Sequence, residues 1–207
     1  SGDWKNLVMK SGEKLNFRDV LEKTREQRKI ILIIDESHVS ADTARANELR
    51  DLIFEKNKAN NKARLVAGYC WTWVSKKDRN LKDIAFPEYD FEMKWNLTTD
   101  GQTWIILPKS VSEVGCIHTC QGLEVDYVGV IVGLDLIVRD EKVVADPSKR
   151  GKTDKSLHGY KKALKENPNE ANKKAESIIK NTYRTLMTRG MKGCYVYFVD
   201  HYCPVVF

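Results

Sequence analysis

The chain of 207 residues has no run of the ~18 consecutive apolar residues that a membrane-spanning helix needs, and no charged opening followed by an apolar segment of the secretory kind. A cytoplasmic location is expected. Its five cysteines are odd in number and include no CxxC pair, which argues against a disulfide framework and against the usual zinc patterns. Cys70, Cys116 and Cys194 stand in apolar runs and read as reduced, buried thiols. The cluster Cys116, His118 and Cys120 has no zinc-like spacing and no evident fourth ligand. Internal repeats are lacking too. So is the phosphate cradle G-x-x-x-x-G-K-[ST]. At Gly151-Lys152-Thr153 the first glycine of that pattern would fall on Asp146, whose charge repels phosphate. That stretch reads as a polar loop.

What is present supports a solvated α/β domain. Hydrophobic residues make up 42% and charged residues 31% of the chain, enough for one sizeable core. The net charge of +6, with pI near 9.0, permits a polyanionic partner. Much of the excess lies in a lysine-rich helical stretch that includes Lys161, Lys162, Lys165, Lys173, Lys174 and Lys180, where a plain solvated face accounts for it equally well. The chain opens Ser-Gly-Asp rather than with Met, and is expected to be a piece of a longer polypeptide.

Hydrophobic periodicity gives the order of elements. Asn16 caps a helix ending near Gln27. "KIILIIDE" (29–36) is a short unbroken apolar run, a buried parallel strand. A helix follows from Thr43 to about Lys58, stopped at Asn60-Asn61, then a strand at 63–71. Residues 88–109 carry aromatics with alternating character. Strands are expected at 114–119 and 126–133, joined by a turn at Gln121-Gly122, and a hairpin at 136–146 turning at Asp140-Glu141. Residues 147–158 read as a polar, mobile loop, 171–188 as a long amphipathic helix, and 193–200 as a closing buried strand. Alternating strands and helices predict a mostly parallel sheet flanked by helices, with a β-hairpin inserted.

Three passages carry chemistry. Asp35-Glu36-Ser37-His38 closes a buried strand, at the edge where parallel sheets bind ligands. An Asp there can hold Mg2+ and a neighbouring Glu can polarise water. The run resembles the DExH motif of restriction-enzyme-type superfamily 2 helicases. "VGCIHTCQGLEVDYVGVIVG" (114–133) resembles motif V of superfamily 1 helicases. The resemblance implies that Gly122 and Glu124 bind nucleotide, Glu124 at a ribose hydroxyl, and that His118, Thr119 and Gln121 face nucleic-acid phosphate, with Gln121 where many relatives have Lys. "IIKNTYRTLMTRGMKGCYVYF" (178–198) resembles motif VI. There Arg189 matches the arginine that reaches the γ-phosphate, with Arg184 as second choice.

The span from about 47 to 200 resembles the Schlafen group 3-like DNA/RNA helicase domain family. That implies a RecA-like second lobe over residues 47–207, with 1–46 as a partial DExH strand–helix segment. The partners implied are DNA or RNA and a separate P-loop-bearing lobe, and the cofactors are ATP and Mg2+. Only one helix fits between Glu36 and Arg64, so a two-lobe motor within one chain is not expected. Trp71, Trp73, Trp95 and Trp104 are candidates for base stacking, with at least half of them expected in the core. The alternative readings are a non-hydrolytic nucleic-acid-binding or regulatory module and, more weakly, a metal-dependent nuclease built on Asp35, Glu36 and His38 with Asp42, Glu48 or Asp51.

Overall fold

The computed structural model describes residues 30–34, 45–95, 101–120, 122, 124–139, 142–152 and 154–200. The expected helix at 16–28, the acids Asp35, Glu36 and Asp42, His38, Gln121 and the turn at 140–141 lie outside these residues. Nine strands are described: β1 Ile30–Ile34, β2 Ala63–Ala67, β3 Ile84–Phe86, β4 Phe91–Trp95, β5 Glu113–Gly115, β6 Val125–Val132, β7 Leu136–Arg139, β8 Lys142–Ala145 and β9 Gly190–Phe198. Three α-helices join them: α1 Arg45–Asn60, α2 Tyr160–Glu166 and α3 Pro168–Met187.

Seven strands form one sheet in the order β1-β9-β6-β2-β5-β4-β3, and β7 pairs with β8 in a separate antiparallel hairpin. Every neighbouring pair of the large sheet is parallel except β3 with β4. Predominantly apolar strands such as "ARLVA" and "VDYVGVIV" suit a sheet covered on both faces, and the packing shows both. Leu65, Ala67, Ile131 and Tyr197 join Leu49 and Ile53 of α1 on one side. Val66, Val128, Val130 and Val196 join Ile179, Tyr183 and Leu186 of α3 on the other. Alternate residues of each strand therefore serve opposite cores. The result is a mostly parallel α/β sheet flanked by helices.

Three local expectations are corrected. The strand expected at 114–119 stops at Gly115. The Thr119 hydroxyl accepts from the Cys116 amide (2.8 Å) and donates to the Cys116 carbonyl (2.9 Å), closing a turn in place of a ladder. The long helix begins at Pro168, earlier than expected, because Asn167 caps it through the Glu170 amide and proline suits the first turn. The loop 147–158 is held from within: Arg150 has only 3% of its side chain exposed and binds Asp135 (2.8 Å) and Asp154 (2.7 Å). Asp135, itself completely buried, also accepts hydrogen bonds from Cys70 and Tyr183. Burial opposes the charge of Arg150, but the hydrogen bonds and attraction of the two carboxylates outweigh it and raise its pKa.

Removing one partner from such a buried pair strands the other. Arg150→Met is expected to lower the free energy of unfolding by about 3–5 kcal/mol in urea denaturation. A loss below about 1 kcal/mol would mean that the clamp is incidental.

Candidate functional site

The two helicase-like passages meet at the amino ends of β6 and β9. Val125 pairs with Gly190 in the sheet register, and the Val125 amide donates to the Arg189 carbonyl at 3.0 Å. Glu124 directly precedes β6 and is exposed; Arg189 directly precedes β9 and is half-buried. Gly122 adopts φ +79°, the left-handed region that favours glycine, and opens onto free space. Arg189 donates from Nε to the Thr185 carbonyl (3.2 Å) at the end of α3, where a cation also favours the helix dipole. Among the described residues its two terminal nitrogens have no hydrogen-bond partner. Arg184 is exposed on α3.

Beside Glu124 lies an open cavity of about 170 Å³, lined by Asn60, Asn61, Lys62, Ile105, Ile106 and Val125 as well as Glu124. Arg64 holds Asn61, one of the lining residues, in place. Fully buried in β2, its guanidinium donates to Asn57 Oδ1 (2.6 Å), Ser110 Oγ (2.8 Å), Asn61 Oδ1 (3.0 Å) and the Leu107 carbonyl (3.0 Å). All of these acceptors are neutral, and burial lowers its pKa to about 10. Asn61, at the end of α1, adds a bond from Nδ2 to the Ile106 carbonyl (2.8 Å). The helix end is thereby tied to the segment carrying Ile105 and Ile106. Asp126 anchors the same edge, accepting from Lys192 Nζ (2.6 Å) and Asn60 Nδ2 (2.9 Å). The sequence reading missed Arg64 and Asp126; the available signal was a charged residue inside an otherwise apolar strand.

His118 and Thr119 sit at the other end of the sheet, past the carboxyl end of β5. His118 is exposed, edge-on to Tyr69 with ring centroids 6.1 Å apart. Thr119 is buried and its hydroxyl is engaged by Cys116. Tyr69 also meets Trp95 edge-on at 5.1 Å and lies 5.3 Å from the Arg150 guanidinium. Trp71 and Trp73 are half-buried at this edge, whereas Trp95 and Trp104 are wholly in the core. Cys120 is buried as well, and burial pushes its thiol up to about 12. Among the described residues no group of three His, Cys, Asp or Glu side chains could hold a metal ion.

The strand that precedes Asp35 and Glu36 ends at Ile34, which registers with Tyr197. Tyr197 lies eight residues beyond Arg189 along β9, about 26 Å at the usual rise per residue. Of the acids considered for a nuclease, Glu48 and Asp51 are exposed on α1, and Asp51 is paired with Arg50 at 2.9 Å. Gly151 donates its amide to the Tyr69 carbonyl (2.6 Å), and a Cβ there would lie 2.4 Å from the Trp71 carbonyl oxygen. Its glycine serves this close backbone approach.

The sequence model of the family described as "Schlafen group 3, DNA/RNA helicase domain" matches residues 10–200. The uncharacterized protein YPL245W of Saccharomyces cerevisiae is 31% identical over 114 residues, 54% of this chain and 24% of the yeast protein. The chain thus spans about a quarter of that relative's length. No solved structure matches.

The Asp126–Lys192 pair gives the amino edge a defined pH window. Hydrogen bonds from Lys192 and Asn60 lower the Asp126 pKa below 3.8, so its stabilisation is present above 3.8 and lost as pH falls through the folded value. Lys192 is raised above 10.5 by its hydrogen bond to Asp126, so its share is present below 10.5 and lost above the folded value. The stability difference between wild type and Asp126→Asn, followed by urea denaturation, is expected to be flat at neutral pH. It should close at both extremes, and a difference growing toward acid would contradict the assignment.

Proposed function

The chain belongs to the Schlafen group 3, DNA/RNA helicase domain family, and from that premise we propose that it is the second, RecA-like lobe of a helicase-like ATPase. In this reading it completes a nucleotide site from one side and takes its P-loop from another lobe. The observation that carries the reading is the bond between Val125 and Arg189, because it sets Glu124 and Arg189 side by side at the amino edge.

Arg189 suits a γ-phosphate. Its charge is fixed, its planar fork presents paired donors, and its terminal nitrogens have no other partner among the described residues. It would stabilise charge developing on the transferring phosphoryl group of ATP. Glu124 would accept from a ribose hydroxyl, and the backbone turn at Gly122 would face the nucleotide. Arg184 is the second cationic candidate. His118, Thr119 and Gln121 would contact DNA or RNA backbone; for Thr119, whose hydroxyl is engaged, the contact falls to its backbone. Asp35 and Glu36 retain the roles of magnesium ligand and water-polarising base only for a nucleotide at the carboxyl edge, where β1 ends. For a nucleotide at Arg189, those acids and Mg2+ would come with the P-loop lobe.

A second reading, a nucleic-acid-binding module without hydrolysis, is favoured by the use of Gly151 in backbone packing rather than as a phosphate cradle. The two readings differ at the amino edge. Titration of the isotopically labelled chain with Mg-ATP, followed by amide NMR, is expected to shift Gly122, Glu124, Val125, Arg189 and Gly190. Arg189→Ala should weaken that binding roughly tenfold, a loss on the scale of one charged hydrogen bond, and the isolated chain should not turn ATP over. Shifts confined to Gly151 and Lys152, or turnover that survives Arg189→Ala, would sink the motor-lobe reading.

A further inference from the structure

The net positive charge of this protein is concentrated in one segment. Residues 147–174 hold nine Lys and Arg against three Asp and Glu, whereas the remaining residues hold 26 of each sign. The whole net charge of +6 therefore resides in 28 consecutive residues. Arg150 is the one buried cation among the nine; the eight lysines are all exposed. Among the described residues only Lys162 has a carboxylate within reach, Glu166 at 3.9 Å with both side chains largely in water, a contact of little strength.

The segment is built rather than loose. Arg150 fastens its start to Asp135 and Asp154, and Ser156 closes on Asp154 through its amide and hydroxyl (both 2.8 Å). Farther on, the Tyr160 hydroxyl donates to Asn172 Oδ1 at 2.7 Å. That bond packs α2 against the first turns of α3, so Lys161, Lys162 and Lys165 are carried on one helix and Lys173 and Lys174 on the helix it packs against. A purely solvated lysine stretch needs none of these contacts. The anchor also fixes where the charge begins. The Gly151 amide is bonded to the Tyr69 carbonyl, so Lys152 follows directly on the carboxyl edge that presents His118 and the half-buried Trp71 and Trp73.

Lysines on a fixed scaffold beside aromatic side chains are the two parts of a single-strand binding surface: cations follow the phosphates, and ring faces accept unstacked bases. We propose that residues 147–174 form a phosphate track that holds the backbone of single-stranded nucleic acid and leads it across the carboxyl edge of the sheet. The proposal rests on the nucleic-acid side of the helicase-lobe reading and extends it to a surface outside both helicase-like motifs. Nucleotide at Arg189 and strand at the lysine segment then occupy opposite ends of the sheet. The half-buried aromatic edge favours a single strand over an acidic protein or an anionic bilayer, neither of which uses rings at its binding surface.

The test is fluorescence anisotropy of labelled single-stranded DNA and RNA of about 20 nucleotides, long enough to cover the surface, titrated with the full chain at several salt concentrations. One variant carries Lys155→Gln, Lys161→Gln, Lys162→Gln and Lys165→Gln. A control carries Lys58→Gln, Lys82→Gln, Lys109→Gln and Lys142→Gln, exposed positions elsewhere with the same change in net charge. The track variant is expected to bind at least tenfold more weakly at ~0.1 M salt, with its salt slope reduced by about 2–3, near 0.7 for each lost contact. The control should stay within about twofold of wild type, as removal of distant charges is largely screened. Equal losses in both variants, or none in the track variant, overturn the track while leaving nucleic-acid binding in place. Wild type that binds neither oligonucleotide overturns the nucleic-acid reading itself. Tighter binding to polyglutamate or to phosphatidylserine vesicles than to either oligonucleotide overturns the assignment of the partner.

Discussion

The Val125 amide donates to the Arg189 carbonyl at 3.0 Å, and from that bond β6 and β9 run in parallel as far as Val132 and Phe198. Two passages more than sixty residues apart in the chain are thereby joined at the amino ends of β6 and β9. Helix α3 delivers Arg189 to this point, because its apolar face is seated on the sheet through Ile179, Tyr183 and Leu186. On the opposite face α1 brings Asn57 and Asn61 to Arg64, which shapes the cavity beside Glu124.

Parallel strands give the sheet two chemically different ends, and the charged groups are divided between them. The amino end holds Glu124, Arg189 and the Asp126–Lys192 pair. The carboxyl end holds the rings of Tyr69, Trp71, Trp73 and His118, with the Arg150 clamp behind them.

Much of the fold was legible in the sequence because apolar periodicity is a local property. The strands β2, β6 and β9 and the helix α3 follow from runs such as "ARLVA" and from the spacing of Ile179, Tyr183 and Leu186. What escaped depends on partners distant in the chain. Arg64 is satisfied by Ser110 and Leu107, and Arg150 by Asp135, so nothing local to either residue singled it out. The segment 147–158 looked mobile for the same reason. Gly115 ended a strand early because a threonine hydroxyl four residues on offered its neighbour a closer partner. The four tryptophans considered for stacking divided as burial dictates: Trp95 and Trp104 fill the core, while Trp71 and Trp73 remain half-buried at the edge. That Glu124 and Arg189 share one edge of the sheet became visible only with the register of β6 against β9.

The most direct measurement is ATP turnover by a polypeptide that joins this chain to a P-loop lobe, with and without Arg189→Ala. If Arg189 reaches the transferring phosphate, the substitution lowers kcat by about 10³-fold or more while leaving KM nearly unchanged. Turnover within about threefold of wild type would contradict the account.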